Sequence, residues 1–249
     1  MTTSSIDVPT PDGSADALLT TPDDGGPHPG VLVWMDAFGL RPRMAEMAER
    51  IAGEGYVVLV PNAFYRRGRA PVMDLGDLRD PEARGTLFET LGPMIAELTP
   101  ELVVRDAGAY LDHLAGLPAV CDGPMGVVGY CFGGGLALRT AAHRPDRVAA
   151  AAAFHPARLA TDAPDSPHRL AGSIRAEVYV ASADQDPGMP AEQQRLLDEA
   201  LTAAGVRHVC EQYDGAPHGF TMADTGAYDE AATDRHWDAL LPLLARTLG

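Results

Sequence analysis

The sequence predicts an α/β protein with a mostly parallel central sheet and helices on both of its faces. Short apolar runs of strand length alternate with segments of helical periodicity along the 249 residues. Several of these runs are continuously apolar, which is typical of parallel strands buried on both faces. No internal repeat is visible, and we expect a single domain that covers residues 1–249.

The first part of the chain contains a predicted hairpin and two predicted parallel strands. The hairpin covers residues 6–20, and Pro11-Asp12-Gly13 supplies its turn. An apolar run at residues 31–35 predicts the first buried strand. Apolar residues at helical spacing predict a helix over residues 41–52, and a strand follows at residues 56–60.

Residues 62–100 are less regular, with a helix expected near residues 84–97. A connection of this length is typical of a lid or a binding loop, and we expect one here. Arg66, Arg67 and Arg69 lie in it. We interpret these arginines as a solvated basic loop, with anion binding as the alternative.

The rest of the chain continues the alternation and includes a polar, proline-rich loop over residues 157–173. The remaining predicted elements are helices over residues 101–114, 134–143, 191–204 and 228–248 and strands over residues 127–129, 148–154, 177–181 and 207–213. Because these strands are joined by helices, they are expected to be parallel.

Composition excludes several classes of protein. The formal net charge of −16 argues against nucleic acid and anionic membrane surfaces as partners. The chain has no lysine, which excludes Schiff-base chemistry, pyridoxal phosphate attachment and the phosphate-loop lysine. The N-terminus has no signal-peptide pattern and no apolar run is long enough to span a membrane, so we expect a cytoplasmic protein.

Three cysteines, Cys121, Cys131 and Cys210, are widely spaced. Their odd number argues against a disulfide framework, and neither CxxC nor HExxH occurs, so no standard zinc site is expected. A cysteine on an apolar strand is usually a core residue, and we interpret Cys121 and Cys210 in this way.

The residues around Cys131 have the pattern of a nucleophile elbow. A short apolar run leads into Gly129-Tyr130-Cys131-Phe132-Gly133, and a helix is expected to follow. Glycines on both sides of a nucleophile allow the sharp turn that presents it at the sheet edge. A glycine-rich turn that only packs closely is the structural alternative.

Two further polar groups follow predicted strands, namely the pair Asp184 and Asp186, and His218. Sites in open α/β sheets collect at the carboxyl ends of the strands. The chain order of nucleophile, acid and base indicates that Cys131 attacks an acyl carbon, His218 transfers protons and one aspartate orients the imidazole. Backbone N–H groups of Phe132 and Ala37 would form the oxyanion hole.

These motifs resemble those of the dienelactone hydrolase family (carboxymethylenebutenolidase-like). The resemblance covers about residues 6–245 and includes the elbow, the Ala-Asp-Gln-Asp-Pro segment and Pro217-His218-Gly219-Phe220. It implies an α/β-hydrolase fold, a triad of Cys131, His218 and Asp186, a thioester intermediate, a small ester or lactone as substrate, and no cofactor. The family's acid lies four residues before a proline, which fits Asp186 and not Asp184. A homodimer is compatible with the sequence.

Two positions depart from the family's pattern. The family has a glutamate, which helps to gate thiolate formation, where this chain has Asp36. The resemblance therefore implies a thiol-gating or substrate-binding role for Asp36, and a turn acid that caps the next helix is the alternative. The family also has a carboxylate-binding arginine where this chain has Met222, and an arginine from residues 66–84 is the candidate to replace it.

Two other interpretations remain open. His155 follows a predicted strand, and it either lines the pocket or packs in the core. The alternative function for the whole chain is a non-catalytic ligand-binding or thiol redox-sensing protein on the same fold.

Overall fold

The computed structural model describes all 249 residues and contains one eight-stranded sheet. The strands are β1 Thr2–Thr10, β2 Gly13–Thr21, β3 Gly30–Trp34, β4 Val57–Pro61, β5 Met125–Tyr130, β6 Val148–Phe154, β7 Glu177–Ala183 and β8 His208–Tyr213. They lie in the order β1-β2-β4-β3-β5-β6-β7-β8. The β1–β2 and β2–β4 pairs are antiparallel and every other pair is parallel.

Helices cover both faces of this sheet. They are α1 Pro42–Ala52, α2 Pro81–Glu97, α3 Pro100–Ala115, α4 Phe132–His143, α5 Ala191–Ala203 and α6 Glu230–Leu248, with a 3₁₀ helix at Pro167–Ser173. The helix α4 packs on β5 and β6, whereas α6 packs on β6 and β7 from the other side. The predicted fold class, a mostly parallel sheet between helices, is confirmed. None of the helices combines the length and the apolar character that crossing a membrane requires.

Several elements are longer than their sequence patterns predicted. The hairpin strands pair from Thr2↔Thr21 inwards, so β1 begins before residue 6. The strand β5 extends in both directions beyond residues 127–129, because Met125 and Gly126 pair with β6 at one end and Tyr130 pairs with it at the other. Close packing explains the glycine at position 126, since a Cβ atom there would lie 2.8 Å from the side chain of Leu244 in α6.

The helix α2 begins three residues before the predicted start. Pro81 occupies its first turn, and the side chain of Asp80 accepts a hydrogen bond from the N–H of Glu82 at 3.0 Å. Only Leu91 and Met94 of this helix are buried, so it lies loosely over the body of the protein.

The prediction of a solvated basic loop at residues 66–69 is wrong for Arg66. Its guanidinium group donates to the buried carboxylate of Asp106 at 2.7 and 2.8 Å and to Asp12 at 2.6 Å. Arg67 and Arg69 pair with Glu97 and Asp7 at the surface. All three arginines are therefore held by carboxylates of the protein itself.

Candidate active site

Cys131 lies at the turn between β5 and α4, in a backbone conformation that residues with a side chain rarely adopt. Its φ of 56° and ψ of −123° are unfavourable for a residue with a Cβ atom. The turn is possible because its neighbours are glycines. A Cβ atom on Gly129 would lie 2.0 Å from the carbonyl oxygen of Gly133, and one on Gly133 would lie 2.5 Å from that of Met35. The local sequence thus forms the elbow that its pattern predicts.

The structure brings Cys131, His218 and Asp186 into one hydrogen-bonded chain. The Nε2 atom of His218 lies 3.0 Å from the Sγ atom of Cys131. On the other side of the ring, Nδ1–H donates to Oδ2 of Asp186 at 2.5 Å. Asp186 is buried, and its Oδ1 atom accepts from the N–H of Gly188 at 2.7 Å. Two hydrogen bonds therefore fix the carboxylate that holds the imidazole.

This chain of contacts favours a positive charge on His218. Burial by itself would lower the pKa of His218, but the charge of a Cys131 thiolate and the hydrogen bonds to Asp186 and Cys131 outweigh it. Together they raise the pKa of His218 to about 10. The imidazole is therefore well suited to hold the proton that leaves the thiol.

Asp184, the other acid considered, serves the neighbouring loop. Its carboxylate accepts from the N–H of Gly215 at 3.0 Å and from Nε2 of Gln212 at 3.1 Å. These contacts tie the β7 loop to the loop that carries His218.

The elbow and the β8 loop meet at a small cavity of about 220 Å³. Its lining residues are Asp36, Ala37, Phe38, Arg84, Phe88, Cys131, His155, His218, Gly219, Met222, Thr225 and Ala227. Ala37, which the sequence placed in the oxyanion hole, thus borders the cavity. Phe132 is the first residue of α4, where an N–H has no partner within the helix.

Asp36 borders the cavity but is bound by an arginine. Arg41 donates from Nη1 and Nη2 to the two Asp36 oxygens at 2.6 and 2.9 Å, and it also donates to Asp224 at 2.5 and 3.2 Å. Asp36 further accepts from the N–H of Phe38 at 3.0 Å, and it does not cap α1. No hydrogen bond joins Asp36 to Cys131, so the carboxylate is positioned by Arg41.

His155 is fully buried and borders the same cavity. Its Nε2 atom lies 2.8 Å from Oγ1 of Thr221, while Nδ1 has no hydrogen-bond partner in the protein. Burial, and then the nearby rings of His218 and His236, lower the pKa of His155 well below its usual value. His155 is therefore a neutral imidazole beside His218, which combines the two roles considered for it from sequence.

A second buried histidine, His236, forms a hydrogen bond with the residue that precedes Cys131. Tyr130, which precedes the cysteine, donates its hydroxyl proton to Nε2 of His236 at 3.0 Å, and Nδ1 of His236 lies 3.3 Å from the carbonyl oxygen of Thr233. Burial lowers the pKa of His236 to about 3. No sequence pattern predicts this contact, because the two residues lie more than one hundred positions apart.

Arg84 contributes the one fixed positive charge among the cavity's lining residues. It extends from α2, and its Nη1 atom is buried without a hydrogen-bond partner. Phe88, one helical turn further on, borders the cavity and packs against Phe38. From the sequence, any arginine within residues 66–84 was a candidate to replace the family's carboxylate-binding arginine. The fold shows that Arg84 is the one that borders the cavity.

The other two cysteines lie outside this cavity, and both are half-buried rather than fully buried core residues. Burial, with a smaller contribution from Asp198, raises the pKa of the Cys210 thiol to about 12. Cys210 is therefore expected to be a poor nucleophile at neutral pH.

The chain is similar to known proteins along nearly its whole length. The sequence model of the dienelactone hydrolase family matches residues 15–248. The chain is 24% identical to a carboxymethylenebutenolidase of Pseudomonas putida over 250 residues, which cover 99% of both chains. A Synechocystis protein provisionally described as a carboxymethylenebutenolidase is 27% identical over 249 residues, or 99% of this chain and 97% of that one.

A solved structure extends the likeness to three dimensions. A dienelactone hydrolase-like promiscuous phosphotriesterase from metagenomic libraries superimposes with a TM-score of 0.78, at 26% identity over 100% of both chains. The match to the family model spans nearly the whole sheet, including the elbow and the loop that carries His218. The chain therefore belongs to the dienelactone hydrolase family and is a carboxylic ester hydrolase with the α/β-hydrolase fold.

Proposed function

We propose that this enzyme opens a small lactone or cleaves a small ester through Cys131, with His218 transferring protons and Asp186 orienting its imidazole. The observation that carries the proposal is the hydrogen-bonded chain from Sγ of Cys131 through His218 to Asp186, with distances of 3.0 and 2.5 Å, at the wall of a cavity. Nucleophile, base and orienting acid within hydrogen-bond reach are what covalent acyl transfer requires.

The first half of the proposed reaction forms a thioester. The Cys131 thiolate attacks the carbonyl carbon of the substrate, and the resulting oxyanion accepts hydrogen bonds from the N–H groups of Phe132 and Ala37. The C–O bond then breaks as the His218 imidazolium gives its Nε2 proton to the departing alkoxide. For a lactone, the new hydroxyl remains attached to the acyl group, so the ring opens while the acyl group stays bound to sulfur.

The second half releases the acid. His218, now neutral, takes a proton from water, and the hydroxide attacks the thioester carbon in the same oxyanion hole. The C–S bond breaks, Cys131 leaves as a thiolate, and His218 holds the proton again. Asp186 keeps the proton of Nδ1 in place throughout, so that only Nε2 exchanges protons with sulfur, alcohol and water.

The cavity indicates what the substrate carries. At about 220 Å³ it is smaller than the usual pocket for a drug-sized ligand, which favours a compact substrate. Arg84 has a buried Nη1 atom without a partner at its wall, and a carboxylate on the substrate would supply the missing acceptor. The relatives named carboxymethylenebutenolidases act, by that name, on butenolides with a carboxymethylene group. We therefore propose a carboxylate-bearing lactone or ester, bound by Arg84.

The test compares a lactone that carries a carboxylate with the methyl ester of the same compound. For the wild type, kcat/KM should be higher for the carboxylate, and Arg84→Gln should remove this preference and leave turnover of the neutral compound. Arg79→Gln, a change at a nearby arginine that does not line the cavity, is the matched control. A preference that survives Arg84→Gln would contradict the role of Arg84.

Cys131→Ala tests the nucleophile itself. It should reduce hydrolysis by at least the 10²–10⁴-fold that a positioned catalytic group contributes. Mass spectrometry of the wild type, quenched during turnover, should find the acyl group on the peptide that contains Cys131. Reversible oxidation of Cys131 in a chain that turns over none of these substrates would instead favour the redox-sensing alternative. Cytoplasmic location and a homodimer stay predictions.

A further inference from the structure

A second group of potential ligands lies at the outer edge of the sheet. His208 and Cys210 are two residues apart on β8, so their side chains lie on the same face of that strand. Asp198 belongs to α5, which packs against β8. One ligand atom from each residue lies within 4.8 Å of the others. None of the three lines the cavity that contains Cys131.

The hydrogen bonds of His208 direct a ring nitrogen at a carboxylate. Its Nδ1 atom lies 2.8 Å from the carbonyl oxygen of Val206, which only accepts, so Nδ1 carries a proton and donates it. In the neutral ring, Nε2 then presents a lone pair 3.1 Å from Oδ1 of Asp198. These two acceptor atoms, Nε2 of His208 and Oδ1 of Asp198, repel each other unless a proton or a metal ion lies between them. A backbone carbonyl on the other ring nitrogen is also the usual way in which proteins orient a ligating histidine.

Cys210 adds a sulfur atom beside this pair. It is a free, half-buried thiol, and it lines a cavity of about 230 Å³ together with Asp198. The cavity leaves room for a water molecule next to Asp198 and Cys210. Arg195 also lines it, but its guanidinium group is engaged by Glu192 and Glu199.

We propose that Asp198, His208 and Cys210 bind one divalent transition-metal ion, with Zn²⁺ as the best-suited ion. Imidazole and thiolate select borderline and soft metals over Mg²⁺ and Ca²⁺, which prefer oxygen ligands. The metal–sulfur bond forms as the thiol proton leaves to solvent, and water completes a tetrahedral shell. The net charge of −16 attracts cations to the surface.

The test uses Co²⁺ alone as the probe, in the full-length chain freed of metal by a chelator. A Cys131→Ser background is needed because the catalytic triad also contains a thiol, an imidazole and a carboxylate. A thiolate-to-cobalt absorption band should saturate at one equivalent and disappear when Zn²⁺, but not Mg²⁺, is added. A further Cys210→Ser change should abolish the band, whereas Cys121→Ser should preserve it.

Asp198→Asn provides a second variant, since this side chain is about half exposed and its replacement should leave the fold intact. It should weaken Co²⁺ binding at least tenfold, while Asp112→Asn, a change at an exposed acid of α3 away from this group, should leave binding unchanged. Hydrolysis by the enzyme with Cys131 intact should not depend on the metal, which keeps this test separate from that of the proposed function. No band at millimolar Co²⁺, or a band that survives Cys210→Ser, would overturn the proposal.

Discussion

Replacement of His218 by glutamine should change how the reactivity of Cys131 depends on pH. In the wild type, the contacts with Cys131 and Asp186 raise the pKa of His218 to about 10, against the opposing effect of burial. The imidazole is therefore placed to accept the proton of the neighbouring thiol and to stay positively charged beside the sulfur at neutral pH. Glutamine still offers Asp186 a hydrogen-bond donor, but it cannot take up that proton.

The expected magnitude follows from the acid–base equilibrium. An ordinary thiol with a pKa of about 8.5 is roughly 1% ionised at pH 6.5, and its thiolate fraction rises about tenfold per pH unit below that pKa. Alkylation of Cys131 in His218→Gln should therefore be up to about 100-fold slower than in the wild type at pH 6.5 and should approach the wild-type rate near pH 9. In the wild type, the rate should rise less steeply with pH than in the variant, because the charged imidazole beside the sulfur favours the ionised form of the attacking group.

The assay is labelling by iodoacetamide, followed cysteine by cysteine with peptide mass spectrometry. Cys121 in the same molecules serves as the internal control, and Cys210 should react slowest because burial raises its thiol pKa to about 12. A wild-type rate for Cys131 that rises as steeply with pH as the rate in His218→Gln, or that is unaffected by this change, would refute the activation of Cys131 by His218.

Three further predictions concern stability. Gly133→Ala places a Cβ atom 2.5 Å from a carbonyl oxygen and should lower the free energy of unfolding in urea by about 1–3 kcal/mol, whereas Gly85→Ala, with open space around it, should not lower it. Arg41→Gln leaves two carboxylates without their cation and should cost about 3 kcal/mol in the same assay, against less than about 1 kcal/mol for Arg50→Gln in an exposed ion pair. The pKa of His236 is about 3 in the folded protein and near 6.5 in the unfolded chain. Between these two pH values the unfolded state binds one proton more than the folded state. The free energy of unfolding should therefore fall by about 1.4 kcal/mol per pH unit as the pH drops from 6.5 towards 3. The His236 ring should still be neutral by NMR at pH 4.5 in the folded protein, and protonation near pH 6 would contradict this.

The sequence by itself determined the order of the strands and helices and the turn at Cys131. Both are local properties. Hydrophobic periodicity depends on neighbouring residues, and the elbow depends on glycines within four positions of the cysteine. Strand ends were less well predicted, because β5 is extended by pairing with its neighbours at Met125, Gly126 and Tyr130, and the local pattern does not show which residues pair.

Only the tertiary structure decided which charged side chains meet. Asp36 is bound by Arg41, Arg66 by Asp106 and Asp12, and Arg84 alone among the arginines reaches the cavity. These contacts join residues from separate elements of the fold. The sequence does not show which arginine lies near which carboxylate, because the distances between them depend on how the elements pack. The strength of an ion pair depends on separation and burial, and neither can be read from a string of residues.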